Sequence, residues 1–247
     1  MMPAALVRWT AAVLAGSIAA GGALASVTIG GTRVIYPLDE REVTVKLTND
    51  SKNPSLVQVW MDGGDANANP DDSAVPFVIT PPIFRMDPKK SQTLRVINGG
   101  EALRQDRETV YWLNVLDIPP KAAARSDVNT LQIAYRTRIK VFARPPDLPG
   151  SPDDAPRQIA WKIVSSADGA GQSLALSNPT AFHVSYSKIA VSANGRTFEN
   201  ARGGMVAPYS KEIVPMPAMD RVHSGRVRYT AISDFGGAIE GDADIVP

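Results

Sequence analysis

Three cations fall within five residues at Arg136, Arg138 and Lys140, inside the stretch LQIAYRTRIKVFARPPD (131–147). Just before them the apolar Leu131, Ile133 and Tyr135 alternate with Gln132, Ala134 and Arg136. Guanidinium and ammonium groups donate charge-assisted hydrogen bonds to anions such as carboxylates. A single Lys or Arg is ordinarily a solvated surface charge, so the clustering carries the interest. Residues two apart on a strand point the same way, which puts Leu131, Ile133 and Tyr135 in one row. Lys140 lies nine residues from Leu131, on the opposite face unless a bulge intervenes. The alternation predicts one long strand from Leu131 to about Phe142, against roughly five or six residues for an ordinary strand. A strand apolar at one end and cationic at the other is built to hold something besides its own domain.

Other chemistry is thinly supplied. There are two histidines, His183 and His223, and no cysteine. Neither a Gly-x-Ser-x-Gly nor a His-Glu-x-x-His pattern occurs, and no carboxylate pair carries a spacing that implies acid–base work. No catalytic residue is expected and no enzyme activity is assigned. DGGDANANPDD (62–72) sets Asp65, Asn67 and Asn69 at the alternate spacing of a calcium loop. Pro70 stands where the sharp turn needs glycine, and Pro76 where the bidentate Glu belongs, so a solvated turn explains the stretch better. No metal site and no cofactor are expected.

The elements that must position these residues are strands. SVTIGG, TRVIYP, REVTVKLTN, SLVQVWMD, VPFVIT, QTLRVIN and TVYWLNVLDIPP are short β-rich runs separated by Gly, Pro, Asn and Asp. QIAWKIV, SLALSNP, HVSYSKIAVS, SKEIVPMP and GRVRYTAIS resume the pattern after the proline-rich FARPPDLPGSPDDAPRQ. Proline stiffens a chain and lacks a ladder donor, so this stretch reads as a semi-rigid linker. The economical fold is all-β, two sandwiches joined by a short connection.

The chain opens MMPAALVRWTAAVLAGSIAAGGALAS, with a cationic Arg8, a short apolar stretch and a small-x-small site at Ala23-Leu24-Ala25. That layout is a secretory signal peptide over residues 1–25, since the apolar run is shorter than the roughly 20 residues of a membrane span. Its removal takes one base of 26 and none of the 25 acids, leaving 25 − 25 = 0. A neutral chain argues against nucleic acid or an anionic membrane as a general partner, and no stable membrane insertion is expected. Without cysteine, a disulfide scaffold and a cysteine–histidine zinc site are both excluded.

Three linked stretches resemble the periplasmic chaperones of chaperone–usher pilus assembly. PFVITPPIFRM (76–86) with Gln92, Leu94 and Arg95 is similar to the family's F-x-V-T-P-P-x-x-R-L…Q-x-L-R pattern. ETVYWLNVLDIPP (108–120) and LQIAYRTRIKVFARP (131–145) are similar to its next two motifs. SNPTAFHV (177–184), MVAPYS (205–210) and SDFGG (233–237) extend the likeness, more weakly, into the second half. The resemblance implies two immunoglobulin-like β-sandwich domains at an angle with a cleft between them. The implied layout is a signal peptide at 1–25, a chaperone domain at 26–145, a linker at 146–155 and a second domain at 156–247.

It also implies a function in the periplasm: folding and stabilising pilus subunits and delivering them to an outer-membrane usher. The family does this by donor-strand complementation, lending a strand to a subunit that lacks its last one. An added strand satisfies the unpaired edge, and its alternate side chains fill the groove. Leu131, Ile133 and Tyr135 would be the row so offered. Arg33 and Lys140 would anchor the subunit's terminal carboxylate. Glu108, Arg144 and Asp234 match positions that form an ionic network between the domains. The short connection KAAARSDVNT (121–130) and the absence of cysteine suggest the short-loop branch. Tyr135 departs from the aliphatic residue usual there. The alternative readings are a structural fimbrial subunit and a secreted β-sandwich binding or adhesive module; two domains and the RTRIK cluster favour the chaperone.

Overall fold

The computed structural model describes residues 26–70, 74–121, 131–166, 169 and 171–246, so the expected signal peptide and most of the 121–130 connection lie outside the described residues. The first half forms β1 (Val27–Ile29), β2 (Arg33–Pro37), β3 (Glu42–Asn49), β4 (Ser55–Asp62), β5 (Phe77–Thr80), β6 (Ile83–Met86), β7 (Ser91–Asn98), β8 (Thr109–Ile118) and β9 (Tyr135–Arg144). They make two sheets, ordered β1-β3-β7-β5 and β2-β9-β8-β4-β6. The period-2 alternation turns one side of each inward. Val45, Leu47, Leu94 and Val96 from the first sheet meet Val57, Leu113, Val115 and Val141 from the second in one core.

The second half forms a 3-10 turn (Ala155–Gln158) and β10 (Ala160–Ser165), β11 (Gln172–Ser177), β12 (Val184–Ala193), β13 (Arg196–Asn200), β14 (Gly204–Val206), β15 (Lys211–Pro215), β16 (Arg226–Ile232) and β17 (Ala238–Val246). The order is β13-β12-β16-β17-β10-β11-β15, with β14 also on β12. A short parallel pairing of β10 with β17 links the two layers. Trp161, Tyr186 and Tyr229 stack and tilt against one another at 5.3–5.8 Å in the shared core. Leu148 and Ala155, from the stretch expected as linker, pack against this second core.

The β12–β13 hairpin turns at Asn194-Gly195, both at positive φ. Two consecutive left-handed residues define the hairpin turn whose twist matches its strands, and Asn-Gly is its strongest sequence signal.

The long strand expected from Leu131 needs correction. β9 begins at Tyr135, and residues 131–134 are in no strand. The β8–β9 register runs unbroken from Thr109↔Ala143 to Asp117↔Tyr135. Continued, it would set Ile133 opposite Pro119, and proline offers no N–H to a ladder. Gln132 instead donates its side-chain amide to the Pro119 carbonyl at 2.6 Å.

Candidate functional site

Cross-strand partners share a face, and the second sheet therefore presents an ordered outer surface. Arg33 on β2 is paired with Lys140 on β9, Lys140 with Trp112 on β8, and Trp112 with Asp62 on β4. The next row along carries Arg138, Asn114 and Trp60. The first row looks onto the second domain across a cleft of about 350 Å³, walled by Arg33, Trp112 and Lys140 on one side and Ser187, Ile232 and Gly236 on the other.

Arg33 donates one N–H to the Ile232 carbonyl at 3.0 Å, while its buried Nε has no partner. The Lys140 ammonium donates to Ser185 Oγ at 2.9 Å. Neither cation forms an ion pair among the described residues. Burial lowers the Arg33 pKa, countered in part by the more distant Asp234 and Glu108. Burial, with the Arg33 charge alongside, pushes Lys140 down to about 8. Two adjacent, partly desolvated cations make a place where an anion is strongly favoured.

The apolar row lies at the other end of the same segment. Leu131 is 85% exposed, Ile133 48% and Tyr135 40%. The unbroken register settles the question of a bulge: Tyr135 is on the side of Ile139, Val141 and Ala143, which face the first core, and Lys140 is on the outer side. Tyr135 thus opens the core-facing side of β9 where its own domain no longer covers it, and Ile133 and Leu131 stand exposed in the non-strand residues just before it.

Glu108, Arg144 and Asp234 come together at the domain junction. Arg144 donates to Glu108 at 2.6 Å and grips both Asp234 oxygens, at 2.6 and 2.8 Å. Burial opposes the Arg144 charge, but its hydrogen bonds and the two carboxylates outweigh that and raise its pKa. The Glu108 backbone donates to Ala181 at 2.9 Å and its carboxylate accepts the His183 backbone N–H at 2.7 Å, so this residue of the first domain is tied to the second through main chain as well. His183, for which no catalytic role was expected, sets its ring 3.3 Å from Glu108 and against Phe142.

Sequence reasoning missed a second polar system beside the cleft. Asp62, its side chain only 1% exposed, receives the Arg138 fork and the Asn114 amide at 2.7 Å. Burial would raise the Asp62 pKa; hydrogen bonds from Arg138, Asn114 and Gly64 reverse that and lower it. Arg136 donates to Asn114 at 2.7 and 2.9 Å and lies over Trp60, and Arg138 lies 4.0 Å from the Trp112 ring centre. Of the three clustered cations, then, Arg136 and Arg138 are engaged by Asn114 and Asp62, with Arg138 also lining the cleft. Lys140 faces the cleft with no carboxylate partner among the described residues. The signal was the even spacing of 136, 138 and 140, but Asp62, 76 residues from Arg138, could not be assigned as partner by spacing. The suspected calcium loop is an ordinary turn at its start: the Asp65 carboxylate accepts the Asn67 backbone N–H at 2.8 Å.

Comparison with known proteins agrees with this architecture over nearly the whole chain. The pili and flagellar-assembly chaperone PapD N-terminal domain matches residues 26–149, and the pili assembly chaperone PapD C-terminal domain matches 154–243. The probable fimbrial chaperone YadV of Escherichia coli K12 is 43% identical over 224 residues, 89% of this chain and 90% of the relative. The chaperone protein MrkB of Klebsiella pneumoniae is 41% identical over 218 residues, 87% of this chain and 89% of its own. Among solved structures the YadV chaperone superimposes with a TM-score of 0.76 at 40% identity, over 90% of this chain and all of the other. The complex of Salmonella enterica SafA pilin with the SafB chaperone gives 0.72 at 26% identity, over 92% of this chain and 99% of the matched one. With both of its domains matched in order, the chain belongs to the pilus-assembly chaperone family.

Proposed function

We propose that this chaperone holds fimbrial subunits one to one in the periplasm and hands them to an outer-membrane usher. Residues 131–135 add to the unfilled groove of a subunit, and Arg33 with Lys140 receives its terminal carboxylate. The observation that carries the reading is that Leu131, Ile133 and Tyr135 stand exposed at the entry to β9, the strand that carries Lys140 beside Arg33 of β2. Strand addition meets both needs: backbone groups of 131–134, outside any strand in the free chain, find partners, and the row is buried. Each buried side chain contributes roughly 1.5–3 kcal/mol before ordering is subtracted. Glu108, Arg144 and Asp234 hold the two domains at the angle the cleft requires. Their net stabilisation is small where desolvation offsets attraction; their use is orientation. The SafA–SafB complex supports the choice of partner by likeness. The signal-like opening sequence supports the periplasm, and among the described residues no helix is long and apolar enough to cross a membrane.

The test is Ile133→Asp beside the parent, read by thermal melting of the free protein and by recovery of a co-expressed fimbrial subunit. Position 133 is half-exposed and outside β9, so the introduced carboxylate would stay hydrated in the free chain. In a subunit groove it would be buried unpaired, at a cost of several kcal/mol. Unchanged melting with lost recovery is expected. A large fall in Tm would make the row part of the chaperone's own core and overturn strand donation.

A further inference from the structure

Phe235 is 99% exposed, more than any other large apolar side chain among the described residues. Isolated exposed apolar residues are common, but this one is held outward by a turn fixed from both sides. Its neighbour Asp234 gives both carboxylate oxygens to Arg144 of the first domain. Its other neighbour, Gly236, sits at φ +81°, where a Cβ would come within 2.5 Å of Thr32 Oγ1, again in the first domain. Within the turn, the Gly236 N–H donates to the Ser233 carbonyl at 2.9 Å, the Ser233 N–H to the Gly237 carbonyl at 2.8 Å, and the Gly237 N–H to Ser233 Oγ at 3.0 Å. Gly236 and Gly237 form part of the cleft wall facing Arg33 and Lys140. The turn therefore belongs to the cleft mouth, and the one side chain it does not use for itself is a fully hydrated aromatic ring.

We propose that Phe235 is a subunit contact: it covers an apolar patch on the subunit next to the terminal carboxylate held in the cleft. This rests on the reading of the cleft given above. A chain end that reaches Arg33 and Lys140 lies in the cleft that Gly236 and Gly237 help to wall, and the residue next to that wall is Phe235. A polar side chain would complete the same turn with no apolar surface in water. The ring is pre-positioned by the rigid turn, so little ordering is needed when it is covered. The second domain thus contributes binding surface as well as a wall, and the Arg144–Asp234 pair sets the place of that contact along with the angle of the domains.

The chain has no cysteine, so Phe235→Cys introduces a single thiol. Its rate of reaction with a maleimide is measured in the free protein and in the isolated complex with a co-expressed fimbrial subunit. Ile213→Cys, at an exposed position on edge strand β15, serves as the control. The expected result is a thiol at 235 slowed at least about tenfold in the complex, with 213 unchanged. In parallel, Phe235→Ser should melt like the parent and bind the subunit roughly ten- to a hundredfold more weakly, with Phe235→Tyr restoring binding. A thiol equally reactive in a stoichiometric complex overturns the contact while leaving the carboxylate anchor intact. Protection that appears in the free protein on concentration alone assigns Phe235 to self-association and also overturns it. A parent that captures no subunit fails the underlying reading of the cleft instead.

Discussion

Replacing Lys140 by Met should make the free chaperone more stable and a worse chaperone. Burial beside Arg33 moves the Lys140 pKa from 10.5 to about 8, a drop of 10.5 − 8 = 2.5 units. At about 1.4 kcal/mol per unit, holding this ammonium in the folded cleft at pH 7 costs about 3 kcal/mol. The substitution also removes the bond to Ser185, worth about 1 kcal/mol, leaving a net gain of about 2 kcal/mol. For a chain of this size that is a rise of about 4–8 °C in Tm. The pH dependence gives a second check. Between pH 8 and 10.5 the unfolded parent holds the Lys140 proton that the folded parent has released, so the parent gains stability as pH rises. The advantage of Lys140→Met therefore shrinks across that window and is gone near its upper end. Subunit recovery should fall at least about a hundredfold, since a carboxylate anchor removed in this way typically costs a few kcal/mol. Denaturant melts of both proteins from about pH 7 to 10, with periplasmic co-expression of a subunit, are sufficient. A variant less stable than the parent at neutral pH, with a gap that does not change as the pH is raised, would refute the idea that the cleft holds an unneutralised cation for a partner.

Subunit binding by the parent should weaken above about pH 8, where free Lys140 loses its proton, and a bound carboxylate should draw a proton back; calorimetry slightly above that pH in two buffers of different ionisation enthalpy should show proton uptake, and its absence would exclude Lys140 from the contact. Lys140→Arg should flatten that pH profile, because a guanidinium stays charged throughout. Arg144→Ala strands the buried Glu108 carboxylate and frees Asp234, so it should lower stability by about 3 kcal/mol and uncouple the domains. Separate calorimetric transitions and a broadened small-angle scattering distance distribution are the expected signs; one transition at the parent's Tm with identical scattering would remove the orienting role.

Much of this arrangement could be read from the sequence because it depends on local alternation. REVTVKLTN and QTLRVIN became β3 and β7, whose Val45, Leu47, Leu94 and Val96 recur at every second position and fill the core. β17 escaped notice because AIEGDADIV carries three acids and a glycine, and its place is set by pairing with β16 and β10. β13 was also missed, although Asn194-Gly195 ahead of it is a strong hairpin signal. The overlong reading of β9 came from following side-chain alternation and ignoring the partner strand, whose Pro119 and Pro120 cannot donate where residues 132 and 133 would pair. Arg33 and Lys140 could be joined through a resemblance, but their direct pairing needed the parallel register of β2 with β9. The Asp62–Asn114–Arg136–Arg138 system depends on three strands meeting on one face, which no single window of sequence displays.

The central claim is that residues 131–135 become a strand of another protein. Hydrogen exchange of their backbone amides measures this most directly, in the free chaperone and in its purified complex with a fimbrial subunit. In the free chain residues 131–134 lie outside any strand, and their amides should exchange almost as fast as in an unfolded peptide. In the complex they should slow by about a hundredfold or more, while amides of β3 and β7, already paired inside the first domain, keep their rates. A stoichiometric complex in which 131–135 exchange as freely as before, with protection appearing elsewhere on the chaperone, would contradict strand donation.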